Sequence, residues 1–240
     1  MRPQERRRAF LQSEGYLIVR NFFPTGEISR ARAAQDAYYQ GQSNLTPSFH
    51  WPAPRPCSAR SRKHPYASFF RTEFASLLRD GRLAKLIRDT FDLEQIRFWH
   101  DQLLYEEPRT SAEENYHWHR EKSRWLTCAA SQMLTAWIPL IDFTAEMGPI
   151  SIMAAGQARR MVLNAGDLAL FPSTTLHGNP PNLGAQARRA LAAHFASSDL
   201  HYQANGKFRH VNERIVRKGR GLAEGLPDFT DPAVCPLLEI

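Results

Sequence analysis

Trp118-His119-Arg120-Glu121 (residues 118–121) is the stretch on which the reading of this chain turns. His119 and Glu121 are both potential metal ligands, and they occupy alternate positions. Alternation along a β-strand sends two such side chains to one face. A third, His177, lies downstream in Ser173-Thr174-Thr175-Leu176-His177-Gly178-Asn179. It comes soon after Gly166-Asp167-Leu168-Ala169-Leu170-Phe171, a turn followed by an apolar strand-like run. Two imidazoles and one carboxylate cover one triangular face of an octahedral ion and leave the opposite face open, the ligand set of non-haem ferrous oxygenases. Arg188 then offers a fixed two-pronged donor for a carboxylate. With nine histidines in the chain, a His-x-Glu also arises by chance on surfaces, so the pattern gains weight only from its context.

Outward from that stretch, the chain from residue 96 reads as short β segments separated by turns, at 96–105, 116–121, 132–142, 150–154, 166–171 and 189–197. Upstream the signals are helical. Residues 6–14 form a short helix ended at Gly15, 16–19 a strand and 21–24 a turn. Thr25 is placed to cap the next helix, with Glu27 in its first turn and Ile28, Ala31, Gln35 and Tyr38 at helical spacing. Residues 42–65 hold five prolines and read as irregular structure, a loop or lid. Leu83, Leu86 and Ile87 mark a further amphipathic helix. A helical region followed by consecutive strands predicts a mainly β barrel or sandwich with flanking helices. The expected organisation is one domain over 1–240, with helical support and the Pro-rich loop at 1–95, a β core at 96–200 and a C-terminal extension wrapping it at 201–240.

Composition narrows the classes. A chain of 240 residues, 42% hydrophobic and 23% charged, can bury a sizeable core and matches ordinary globular proteins. No apolar run reaches the eighteen residues of a membrane span, and the basic N-terminus leads into no apolar signal segment. Cys57, Cys128 and Cys235 are odd in number and lack CxxC spacing, which argues against a disulfide framework or zinc knuckle and suits a reducing cytoplasm. The net charge of +7 comes from scattered arginines without any nucleic-acid-binding motif, so no nucleic-acid or membrane partner is expected. A basic field does favour an anionic cosubstrate or acidic substrate.

The order of motifs resembles the phytanoyl-CoA dioxygenase-like (PhyH) family of Fe(II)/2-oxoglutarate oxygenases. The carrying segments are Glu14-Gly15-Tyr16-Leu17-Ile18-Val19-Arg20-Asn21-Phe22, Trp99-His100-Asp101-Gln102-Leu103-Leu104-Tyr105, Trp118-His119-Arg120-Glu121 with Trp125 soon after, Leu134-Thr135-Ala136-Trp137-Ile138-Pro139, and His177-Gly178-Asn179 with Arg188 eleven residues beyond His177. The resemblance implies a double-stranded β-helix, a jelly-roll or cupin-like barrel, with His119, Glu121 and His177 binding Fe(II). It implies Arg188 on the distal carboxylate of 2-oxoglutarate, Trp125, Asn179 and Tyr116 bordering that cosubstrate, and Gln102 facing the substrate. O2 completes the reactants. Succinate and carbon dioxide would form as an unactivated C–H bond is oxidised, by hydroxylation or oxidative cyclisation. The chain departs from the family in one ligand: the usual Asp is Glu121, one methylene longer. A halogenase is not expected, since those replace this carboxylate with a small residue.

Several alternatives stay open at this level. Glu121 can instead bridge Arg120, Lys122 or Arg124, and His117 shares parity with His119 as a rival ligand. His194 can line the pocket or serve as a core histidine, while His100, Asp101 and Cys128 read as structural. For the substrate, the expectation is a small natural-product intermediate, a sugar-containing one as in orthoester-forming antibiotic biosynthesis being one candidate. The alternatives are an acyl-CoA or amino-acid hydroxylase, a cupin-like metal enzyme without 2-oxoglutarate, or a non-catalytic binding barrel.

Overall fold

The computed structural model describes residues 2–109, 118–204, 210–217 and 225–239. In chain order the regular elements are α1 (Pro3–Glu14), β1 (Leu17–Val19), α2 (Thr25–Tyr39), β2 (Ser61–Pro65), α3 (Thr72–Leu78), α4 (Gly81–Phe91), β3 (Ile96–Glu106), β4 (Cys128–Ala129), β5 (Met133–Pro139), β6 (Ser151–Ala154), β7 (Gln157–Arg160), β8 (Leu168–Pro172), β9 (His177–Gly178), β10 (Arg188–Ser197) and β11 (His201–Tyr202). A six-stranded sheet in the order β1-β8-β5-β10-β3-β2 lies against a three-stranded sheet in the order β7-β6-β9, with β11-β4 as a separate pair. All the pairings are antiparallel. This is the expected jelly-roll, mainly β with flanking helices.

The period-2 pattern of the strands decides which layer each side chain enters. On β10, Leu191, Ala193 and Phe195 join Leu134, Ala136 and Ile138 of β5 in the core beneath the helices. Ala190 and Ala192 point the other way, with Trp137, Ala169 and Phe171, into the space between the sheets. A one-residue slip would exchange these two sets, so burial on both faces fixes the register. The helices cover the outer face. Asp80 caps α4 by accepting from the Arg82 backbone N–H at 2.6 Å, and that helix buries Leu83, Leu86 and Ile87. Gly15 ends α1 in the left-handed region (φ 76°), which costs glycine little, and its N–H returns to Leu11 O.

Three local expectations are corrected. Thr25 is the first residue of α2, with Pro24 at the cap position and no side-chain cap. The end of the Pro-rich segment is strand β2, running antiparallel to β3 with Lys63 opposite Leu104. Around His119 there is no regular strand: His119 makes an isolated bridge to His177, and a 3-10 turn begins at Glu121. Near the C-terminus, Pro236 O accepts from the Phe98 N–H and the Leu238 N–H donates to Ile96 O.

Candidate metal centre and cosubstrate cavity

His119 and His177 meet as directly opposed residues of an antiparallel bridge. The His119 N–H donates to His177 O at 2.8 Å, and the His177 N–H to His119 O at 2.9 Å. Opposed residues project their side chains to the same face, which leaves the two imidazole centroids 4.4 Å apart. Glu121 reaches this face by a different route from simple alternation. The Arg120 guanidinium donates to Thr174 O and the Lys122 N–H to Ser173 O, both at 3.0 Å, pinning the turn to the segment before His177. The Glu121 carboxylate thereby lies 3.6 Å from both His119 Nε2 and His177 Nε2. It faces these histidines, not Arg120, Lys122 or Arg124.

The donor set fits a divalent ion. One atom from each of the three residues lies within 4.8 Å of the others. His177 Nδ1 is hydrogen-bonded to Thr175 O at 3.0 Å, which fixes the tautomer with a lone pair on Nε2. Burial would raise the Glu121 pKa, but the approach of His119 and then His177 outweighs it and holds the carboxyl below its usual range. An ionised carboxylate and imidazole nitrogens on one side, with a cavity on the other, suit a metal that keeps open coordination positions.

That cavity, about 210 Å³, runs between the two sheets and is lined by all three of these residues together with Arg188, Asn179 and Gln102. Its floor is the inner face of β10, where Ala190 and Ala192 leave room between Arg188 and His194. Arg188 is buried and firmly held: its Nη1 donates to Pro180 O at 2.9 Å, Met147 O at 3.2 Å and Gly148 O, and its Nη2 to Glu106. Burial lowers its pKa and the Glu106 carboxylate opposes that. Arginine carries five N–H hydrogens; those on Nη1 and one on Nη2 serve these partners, so among the described residues Nε–H and a second Nη2–H remain for a ligand. Trp125 stands one layer back, packed edge-on to His194 at 5.0 Å, and is not among the residues lining the cavity. Tyr116 and the rival ligand His117 lie outside the described residues.

Sequence reasoning passed over three contributors. Lys63 lines the cavity without an ion pair among the described residues, and burial lowers its pKa against the opposing pull of Glu121. Trp137 also lines it, and its indole N–H is buried with no partner among the described residues. Glu106, the last residue of β3, anchors Arg188. Only Trp137 carried a local signal, an inward parity on a recognisable strand. His100 and Asp101 are buried as expected, and Asp101 accepts from Ser68 Oγ at 2.8 Å.

A model of the family described as Phytanoyl-CoA dioxygenase (PhyH) matches residues 11–159. The chain belongs to the PhyH family. It is accordingly a non-haem Fe(II)- and 2-oxoglutarate-dependent oxygenase, using O2. No curated protein matches the chain. Among solved structures, the non-heme alpha-ketoglutarate-dependent epimerase SnoN from nogalamycin biosynthesis superposes with a TM-score of 0.75 at 18% identity, covering 98% of each chain. The carbocyclase SnoK from the same biosynthesis gives 0.75 at 17%, over 98% of this chain and 96% of that one. HygX from Streptomyces hygroscopicus, solved with nickel and 2-oxoglutarate, gives 0.64 at 14%, over 83% of this chain and 88% of its own. At these identities the likeness establishes the PhyH-type fold. No helix among the described residues is long and apolar enough to cross a membrane.

Proposed function

We propose that this enzyme, acting as a single catalytic domain, oxidises an unactivated C–H bond of a small, oxygen-rich natural-product intermediate, by hydroxylation or oxidative cyclisation. His119, Glu121 and His177 hold the iron, and Arg188 receives the distal carboxylate of 2-oxoglutarate. The observation that carries this reading is the convergence of three side chains from distant segments beside a cavity that also contains a buried, oriented guanidinium. Bound iron with 2-oxoglutarate supplies oxidative decarboxylation to succinate and carbon dioxide, and with it the oxidising power to break the C–H bond.

The chain's own residues bind and orient. Arg188, locked by Glu106 and three carbonyls, keeps its remaining donors preorganised, so little ordering cost accompanies carboxylate binding. Asn179, the buried Trp137 N–H and Lys63 add polar contacts to the cosubstrate, while Gln102 faces the substrate. Trp125 acts on this site through His194, and Tyr116 keeps the cosubstrate-bordering role that the family implies. The Phe171 ring, 4.8 Å from that of His177, excludes water from one side of the metal ligands.

Charge limits the substrate class. Ferrous iron and the 2-oxoglutarate dianion cancel, Arg188 cancels Glu106, and Lys63 offsets Glu121. The loaded site is therefore neutral before Arg62, also lining the cavity, adds a positive charge. A polyamine gains nothing there, whereas a neutral or acidic hydroxylated molecule does. Among the fold neighbours, SnoN was solved with nogalamycin RO and HygX with hygromycin B, which supports a natural product as substrate. The test is anaerobic reconstitution with Fe(II) and 2-oxoglutarate, then exposure to O2 with a panel of hydroxylated natural products. Succinate above the substrate-free rate, with a product one oxygen heavier or two hydrogens lighter, is expected. Failure to bind 2-oxoglutarate or to release succinate under any condition refutes the reading.

A further inference from the structure

Buried polar atoms in native proteins are nearly always hydrogen-bonded, and leaving one unpaired costs about 1–3 kcal/mol. His194 is 1% exposed, and its Nε2 has no partner among the described residues. The ring is otherwise tightly fixed. Its Nδ1 meets Thr135 Oγ1 at 2.9 Å, His100 stacks on it at 4.4 Å and 22°, and Trp125 closes the edge at 5.0 Å. Its neighbours are set by register, since His194 lies opposite His100 of β3 and Thr135 of β5. The pairing of β10 with β3 is interrupted by a bulge immediately after His194. Bulges are frequent beside active sites, where they re-aim a side chain.

The same row leads across the barrel to the metal ligands. Thr135 is opposite Phe171 on β8, and the Phe171 ring packs on that of His177. His194 therefore stands on the large sheet at the level of the triad, with the cavity between them, and it lines that cavity. With three ligands on one face of the ion, the open positions face away from the triad, toward this wall.

We propose that His194 is a positioning residue: its Nε2 hydrogen-bonds an oxygen ligand at the open face of the metal, water in the resting site. When the Thr135 hydroxyl donates to Nδ1, Nε2 carries the proton and is the donor to that oxygen. His100 and Trp125 hold the ring in plane, which accounts for an aromatic and imidazole cluster behind a metal site that none of its members ligates. The inference rests on the metal assignment above.

The test uses the full chain loaded with Co(II), whose visible d–d absorption strengthens when the ion goes from six to five ligands. Wild type, His194→Phe, His194→Gln and Thr135→Val are titrated with Co(II) and then with 2-oxoglutarate. In His194→Phe, Co(II) affinity should stay within about threefold of wild type while the d–d band shifts and intensifies through loss of the held oxygen. His194→Gln, which keeps a donor near the same place, should restore the wild-type band. Superimposable spectra for wild type and His194→Phe overturn the proposal. So does a loss of Co(II) affinity of about 10–100-fold, the mark of a residue that supports or supplies a ligand. If His194→Phe does not fold, Thr135→Val decides: an altered band with Co(II) still bound is expected, and an unaltered band overturns the proposal. Wild type that binds neither Co(II) nor 2-oxoglutarate would instead refute the functional reading beneath it.

Discussion

Lowering the pH from about 7.5 to about 5.5 should destabilise the metal-free protein by an amount the buried histidines determine. Burial pushes His194 down to about 4 and His210 to about 3, from an ordinary 6.5, and drives His100 well below that value too. Each is held neutral in the fold, its folded pKa below its unfolded one. Its stabilising contribution is complete above about pH 6.5 and is lost as the pH falls toward the folded value. At about pH 5.5 the unfolded chain has protonated roughly nine-tenths of each of these side chains and the native state almost none. That difference weakens folding by about 1.4 kcal/mol per histidine. His194 and His210 together give roughly 3 kcal/mol, and His100 adds to it, a large part of a typical stability of about 5–15 kcal/mol. The carboxylates held low, such as Asp167 and Asp80, keep their full stabilisation above the unfolded carboxylate range near pH 4 and lose it only below that range, so the two windows separate. Urea unfolding with a metal chelator at the two pH values measures the loss directly, and His194→Phe should reduce it by about 1.4 kcal/mol. Equal stability at both pH values would refute the claim that these rings are buried neutral.

Further expectations concern the cavity. Arg188→Lys keeps a cation beside Glu106 but loses the fork, so 2-oxoglutarate affinity should fall about 10–100-fold in a calorimetric titration while metal binding is retained. An equal loss of both would contradict the assigned role. Lys63→Met removes a desolvated cation that makes no ion pair among the described residues; the apo melting temperature should rise while 2-oxoglutarate binds more weakly, a stability–function trade visible in two assays on one variant. Gly148 has φ +60°, and a Cβ there would clash with the carbonyl oxygens of Pro180 and Pro181. Gly148→Ala should therefore cost about 2 kcal/mol or more by urea unfolding and loosen the carbonyl cradle of Arg188.

The central strands of the large sheet were legible because burial on both faces imposes a strict period of two, clearest in Leu191, Ala193 and Phe195 against Ala190 and Ala192. The three metal-binding candidates were legible too, though the physical route to Glu121 was not. Alternation on a strand was expected, whereas the backbone turns at Glu121 and is held by carbonyls of Ser173 and Thr174 some fifty residues away. Strand β2 was hidden because Ser61-Arg62-Lys63-His64-Pro65 has no apolar alternation; it pairs through its backbone and turns polar side chains to the cavity. With it went Lys63. The tether of Arg188 to Glu106 was equally unreadable, since it depends on β10 lying beside β3 with these two residues in register. Thr25 resembled a cap by type, but Pro24 supplies the extended residue that starts α2.

Anaerobic Fe(II) titration in the presence of 2-oxoglutarate, followed through the visible charge-transfer band of the chelate, tests the metal centre most directly. Wild type should bind one ion per chain and develop the band, and Glu121→Ala should lose most of both, because removing the only carboxylate of the triad leaves two imidazoles to hold the ion. Unchanged affinity and an unchanged band in Glu121→Ala would contradict the assignment of His119, Glu121 and His177 as the iron site.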